Sequence, residues 1–447
     1  MQRYIEAINK HRDLILNTMD HVWKNPETGY KEWKTHKYMK EAFEALGYEV
    51  TEAGNIPGFT ALLDTGRPGP TLAIFGEMDG LLVTGHPEAD PETGAVHACG
   101  HHCQLAALIG IAAALKEPGA LDDLSGKILL VVVPAEELIE IEYRMEERKK
   151  GRIKYFGGKP EFMWRGLLNG VDLSFMVHTT GMRDYNMNCN AGSNGMLAKS
   201  IAFEGVAAHA GGSPHKGVNA LYAANLALSA INNLRETFQD KDHIRVHPII
   251  TSGGSSVNSI PDLVTLESYV RGADMNAIAA VNSKINRAVA GAAAAMGATA
   301  TITDFPGYWP RFYTDDYIDV FADACAQMGF TFEKSDAWEG GCSDMGDVSA
   351  VMPALHPNAP GADGNFHGID FAIADPENAC INSAKIQLGA VKLLMENGCE
   401  KAKSIVANNP AMFKTFQEYF DFVDKLDMSK QTVIYKEDEK VTLSYTK

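Results

Sequence analysis

The chain has 447 residues, more than one compact core comfortably holds, so two domains are the expectation. Its 45% hydrophobic and 22% charged content is that of a water-soluble globular protein, and a net charge of −17 argues against nucleic acid or an anionic membrane as a partner. Seven scattered cysteines make no disulfide framework, and no apolar run approaches the roughly 20 residues of a membrane span, so the chain reads as cytoplasmic.

The chain opens on "MQRYIEAINKHRDLIL", a charged amphipathic helix pattern rather than an apolar signal. Three apolar runs follow, each predicted to contain a buried strand: Thr71–Gly80, Lys127–Glu137 and Val171–Thr180. An Ala/Leu-rich helix beginning near Cys103 separates the first two. Continuous Val/Ile/Leu strands separated by helices predict an α/β sheet covered on both faces. Glu77 and Asp79, Glu136 and Glu137, and His178 stand where these strands end, the place where open α/β sheets bind ligands. The next segment, Ile139–Gly170, is too charged for core and reads as an elaboration near the mouth of a site.

From 191 to 303 the pattern becomes strand, helix, strand, strand, helix, strand, the ferredoxin-like order. It begins and ends inside the α/β chain, so residues 1–190 and 304–447 are predicted to form one α/β domain, with 191–303 inserted as an α+β lid. The tail from about Ser404 ends in "VIYKEDEKVTLSYTK", which suggests a short edge hairpin.

"VHACGHHCQLA" places Cys99, His101, His102 and Cys103 within five residues. A closed structural metal knuckle would need four local ligands facing one ion, which adjacent residues cannot all do. Ranked by chemistry, the candidate ligands are Cys99, His101, Glu136 or Glu137, His178 and His367, a thiolate, imidazole and carboxylate set suited to zinc or a similar divalent ion. Most lie at strand ends, which favours an open catalytic site, and a shared thiolate could bridge two ions about 3.5 Å apart. Of the paired carboxylates, one can take metal while its neighbour stays as a base for amide hydrolysis.

In this order, "VHACGHHCQLA", "VVVPAEE", "MVHTT", "GVAAHAGGSPHKGVNAL", "SSVNSIPD" and "GNFHGIDF" resemble the amidohydrolase–metallopeptidase family of aminoacylases, hippurate hydrolases, indoleacetyl-amino-acid hydrolases and aminobenzoyl-glutamate hydrolases. The resemblance spans roughly residues 1–400. It implies a zinc-peptidase-like mixed sheet with helices on both faces, a ferredoxin-like lid and a homodimer paired through that lid. It further implies two divalent ions, zinc or alternatively manganese, held by Cys99, His101, Glu137, His178 and His367 with Cys99 bridging. Glu136 would be the general base, Asp79 would orient the metal site, and His209 would reach across the dimer to the oxyanion. Asn258 and Arg271 would hold the substrate's α-carboxylate, for which a bidentate guanidinium is well suited. The implied substrate is an N-acyl amino acid or related conjugate, with a dipeptidase or carboxypeptidase as the alternative.

Three departures place the chain in an outlying subgroup: His102 stands where the family usually has aspartate, Glu77 opens "GEMDG" where Asp-Met-Asp is usual, and a charged insertion follows Glu137. Bland readings compete for the remaining residues. Cys103 reads as a small buried hydrophobe, His102 as a buried histidine beside the site, and His215 as an aid to His209 or a helix cap. Asp344 and Asp347 either orient the His367 loop or cap the next helix. A non-catalytic ligand-binding relative would have lost Glu136 or a ligand, and neither is missing. A thiol redox pair of Cys99 and Cys103 does not fit that spacing.

Overall fold

The computed structural model of the protein describes residues 1–435 and 441–444. They form two compact units, one of residues 1–192, 311–338 and 343–416, the other of 193–310, 339–342 and the described residues from 417 onward.

The first unit is built on a six-stranded mixed sheet. Its strands lie in the order Val50–Glu52, Phe59–Asp64, Lys127–Val133, Thr71–Glu77, Leu173–Phe175 and Ala354–Leu355. The last four run parallel, and the first two are antiparallel additions. Thr71–Glu77 and Lys127–Val133 are buried after their first residues, as their unbroken apolar sequences require. Helix His101–Leu115 is buried at every position, which accounts for its having no polar face. It shares the core with Ile15 and Val22 of one helix, Phe321 of another, and Leu388 and Leu394 of a third. A second sheet in this unit pairs His178–Gly181 in parallel with Asn358–Asp363.

The second unit has the ferredoxin-like arrangement expected. Its sheet runs Ile249–Ser252, Leu263–Gly272, Gly195–Glu204, Thr299–Pro306, all antiparallel, with helices Ala220–Asn233 and Met275–Ala295 closing a core of Ile201, Leu266, Ile285 and Val289. Asn219 caps the first helix by accepting from the Tyr222 amide, so His215 is not its cap. Two buried helix asparagines, Asn282 and Asn286, meet Asp304, which also pairs with the buried Lys199.

Two features differ from the sequence reading. Met428–Gln431 pairs with Thr299–Pro306, so the C-terminal segment extends the sheet of the inserted unit and not that of the α/β unit. The expected hairpin is present as Val433–Tyr435 paired with Val441–Leu443; its connecting residues lie outside those described. The charged segment 139–170 is partly interior: Arg144, Glu147, Lys159, Glu161 and Phe162 are buried, while Glu142, Glu146, Lys149 and Arg152 are exposed. Among the described residues no helix is long and apolar enough to cross a membrane.

Candidate metal centre

Three tight loops assemble the site in the first unit. In the first, Gly100 adopts φ 95°, and a side chain there would press on Thr179. Only glycine fits, and the turn it makes presents Cys99 and His101 at the start of the buried helix. In the second, Ala135 takes φ 59°, a strained value for a residue with a side chain, at the point where strand Lys127–Val133 has ended and Glu136–Glu137 begin. Its amide donates to the buried Glu32 carboxylate at 2.8 Å. In the third, His367 itself has φ 61°, and its amide is held by the Ala98 carbonyl at 2.9 Å. Strain at Ala135 and His367, two residues of one cluster, is the kind that functional sites retain.

These loops bring the donors together. Cys99, His101 and His178 place one ligand atom each within 4.8 Å of one another, and so do Cys99, Glu137 and His367. Cys99 is the member common to both groups. His178 Nε2 lies 3.5 Å from Cys99 Sγ, and its Nδ1 bonds the Thr179 carbonyl at 2.6 Å, which fixes the ring. His367 Nε2 lies 3.2 Å from Glu137 Oε1. A third group consists of Glu77, His101 and Glu136.

Asp79 sits behind the donors. Its Oδ2 accepts the Glu137 amide at 2.7 Å, its carbonyl is 2.7 Å from His101 Nδ1, and its Oδ1 is 3.2 Å from the same nitrogen. It therefore holds a histidine ring and the backbone of Glu137, an arrangement that orients the side chains of the cluster.

The charges show why cations suit the place. Burial and the nearby Glu137 push the Cys99 thiol up, but His178 and His101 outweigh them and bring it down to about 6. Burial alone would lower the His101 ring, yet Glu77, Cys99 and Asp79 hold it well above its ordinary value. Hydrogen bonding to Cys99 and Glu137 lifts His367 to about 11. Burial raises Glu137, while His367 and His101 carry it down to about 2. Glu136 goes the other way, raised well above the carboxylate range by burial and by Glu77 and Glu137. The upward shifts of both histidines trace to the anionic groups around them. His101 Nε2, Glu137 Oε1 and Asp79 Oδ1 are buried, each with its nearest charged neighbour 3.2 Å away. A thiolate, imidazoles and carboxylates whose donor atoms converge in this way fit divalent cations of the zinc type.

Several residues fall elsewhere. His102 faces Trp23 and His97, with ring centroids 4.9 and 5.6 Å away, and its Nε2 is 3.6 Å from Cys103 Sγ; it belongs to none of the three donor groups. His209, Asn258 and Arg271 lie in the second unit. There the His209 ring accepts from the amides of Gly211 and Gly212, and the Asn258 carbonyl accepts the Ala210 amide. Arg271, on strand Leu263–Gly272, has its guanidinium 5.3 Å from the Tyr269 ring centroid.

Sequence reasoning missed three groups. Lys159 pairs with both Glu77 and Asp344, all three wholly buried. Asp344, expected to orient a loop or cap a helix, instead takes the Lys159 amide and ammonium. Arg144 donates to the carbonyls of Glu137 and Phe156. The glycines at 157 and 158 were the available signal, since they mark a close backbone approach: a side chain at Gly158 would run into the Pro134 carbonyl.

Fold and site together define a zinc-peptidase-like α/β unit with an inserted ferredoxin-like unit. Residues 191–296 match the family described as the peptidase dimerisation domain. The Xaa-Arg dipeptidase of Mus musculus is 29% identical over 379 residues, which cover 80% of this chain and 78% of the relative. The indole-3-acetyl-aspartic acid hydrolase of Enterobacter agglomerans is 32% identical over 263 residues, 56% of this chain and 55% of that one. A dinuclear metal binding peptidase of Bacillus subtilis has the same fold, with TM-score 0.64, 21% identity, and coverage of 87% of this chain and 99% of its own. The chain is thus similar over most of its length to amide- and peptide-cleaving enzymes, the resemblance that its six ordered motifs implied.

Proposed function

We propose that this protein is a metal-dependent amidohydrolase that cleaves the amide bond between an acyl group and an amino acid. The observation that carries the reading is the sharing of Cys99 by two donor groups, with Glu136 beside them and outside both. Cys99, His101 and His178 would hold one divalent cation, and Cys99, Glu137 and His367 a second, with zinc or manganese the suitable metals. When bound, such a pair supplies Lewis acidity, which polarises a carbonyl and makes water a usable nucleophile near neutral pH.

Glu136 takes the proton of the attacking water and returns it to the leaving amide nitrogen. Its raised pKa suits a carboxylate that must hold that proton between the two events. Asp79 keeps the His101 ring and the Glu137 backbone in register. We assign His209, from a second copy of the chain, to the developing oxyanion. Arg271 and Asn258 are assigned to the substrate's α-carboxylate. Pairing through the second unit is supported by its exposed apolar side chains, Tyr222 and Ile249 at 60% and 61% exposure. Seven free cysteines agree with a reducing compartment such as the cytoplasm.

A dipeptide is the second reading, favoured by the breadth of the similarity to the Xaa-Arg dipeptidase. Either class presents a free α-carboxylate. A panel of N-acyl amino acids and dipeptides, assayed with added zinc or manganese, is expected to reveal turnover. Arg271→Ala should lower kcat/KM for these substrates by about 10-fold or more while hardly affecting their C-terminal amides. Equal losses on both would remove the carboxylate assignment.

A further inference from the structure

The Lys159 ammonium is an unusual occupant of a protein interior. It is fully buried, it comes from a segment outside the sheet, and it is bound to two carboxylates that are themselves fully buried. Asp344 grips the lysine at both ends, one oxygen on the backbone amide at 2.9 Å and the other on the side-chain nitrogen. The close approach allowed by Gly158 brings the lysine to the end of strand Thr71–Glu77.

Its second carboxylate, Glu77, could otherwise serve as an ion ligand. Glu77, His101 and Glu136 each offer an atom within 4.8 Å of the others, and Glu77 Oε2 lies 3.2 Å from His101 Nε2. Yet both Glu77 oxygens are already engaged. Oε1 is on Lys159, and Oε2 accepts from the Gln104 side-chain amide at 2.8 Å, while the Gln104 carbonyl oxygen receives the Glu77 backbone amide at 3.1 Å. Gln104 is on the same buried helix as His101, one turn further on. Asp344, Lys159, Glu77 and Gln104 thus form one chain of contacts ending on the helix that carries a proposed ligand.

With the metal-holding groups as proposed above, on which this inference rests, we propose that Lys159 is a positioning residue: it ties Glu77 into a buried ion pair, so that this carboxylate anchors the His101 helix and supplies no ligand to either ion. Glu77 is longer by one methylene than aspartate, which lets it reach both Lys159 and the edge of the donor cluster. The lysine is what settles which of these it does.

Zinc titration of metal-free protein against a chromophoric chelator reads this without any substrate. Glu77→Gln, which keeps the side chain's shape and removes its charge, is expected to bind the wild-type number of zinc ions. Lys159→Met releases Glu77 toward the donors and should shift zinc affinity by about 10- to 100-fold, with kcat falling more than KM changes. Adding Glu77→Gln to Lys159→Met should return the affinity toward wild type. Loss of an ion in Glu77→Gln would make Glu77 a ligand and overturn the proposal, even if Lys159→Met fails to fold. Wild-type zinc affinity in Lys159→Met, or an unrescued shift in the double variant, would overturn it as well. Failure of the zinc-loaded wild type to turn over any amide would refute the proposed function and leave these zinc results standing.

Discussion

At the scale of single residues, the candidate centre is a problem of charge. Cys99, Glu77, Asp79, Glu136 and Glu137 sit within a volume where desolvation makes uncompensated anions costly. Within the chain, the Lys159 ammonium paired with Glu77 and the upward-shifted His101 and His367 rings are what face these anions. Divalent ions would answer more fully, leaving Glu136 as the proton carrier. Changing Glu136 to Gln keeps the shape and removes the proton acceptor, so kcat should fall by about 100- to 10,000-fold at unchanged metal content. Substantial residual activity in that variant would remove the base assignment.

At the scale of elements, the segment after Glu137 acts as a brace. Its Arg144 donates to the carbonyl of Glu137 and to that of Phe156, and Tyr30 donates to the carbonyls of Tyr155 and Gly157, tying the segment to the loop around Ala135. Arg144→Met leaves buried carbonyls without their donor, at a cost of about 1–3 kcal/mol each. Denaturant unfolding should register that loss together with weaker metal binding; wild-type stability would show that the brace is idle. This element also marks where reading the sequence stopped. The cluster of candidate donors near strand ends was legible because apolar runs show where strands stop, and the alternation and helices of 191–303 showed the ferredoxin-like order of the inserted segment. Burial of Arg144 and Lys159 was not legible, because it depends on a non-local approach through Gly158 and on partners, Glu77 and Asp344, far away in sequence. The strand Met428–Gln431 was hidden for a related reason: it is mostly exposed, so it carries no apolar alternation, and only its pairing with Thr299–Pro306 defines it.

At the scale of the whole molecule, stability should depend on pH through buried neutral histidines. His356 is held well below its ordinary pKa by burial, with Arg311 and His178 adding to the effect. A histidine depressed in the folded state stays neutral there but takes up a proton when unfolded. Its contribution is therefore complete above about pH 6.5 and is lost as pH falls from there toward the folded value, at about 1.4 kcal/mol per pKa unit of depression. His356→Gln removes this term. The stability of wild type relative to that variant should fall between pH 7.5 and 5.5, as measured by denaturant midpoints. A difference independent of pH would contradict the assignment. The same scale includes the proposed pairing of two copies, for which His209→Ala should lower kcat while leaving metal content intact.

The central claim is that one thiolate serves two cations, and metal content per chain tests it most directly. Elemental analysis of zinc-loaded protein should give two ions per wild-type chain and fewer than one in Cys99→Ser, because both donor groups lose their shared member. Two ions retained without the thiolate, or no stoichiometric metal in the wild type, would contradict it.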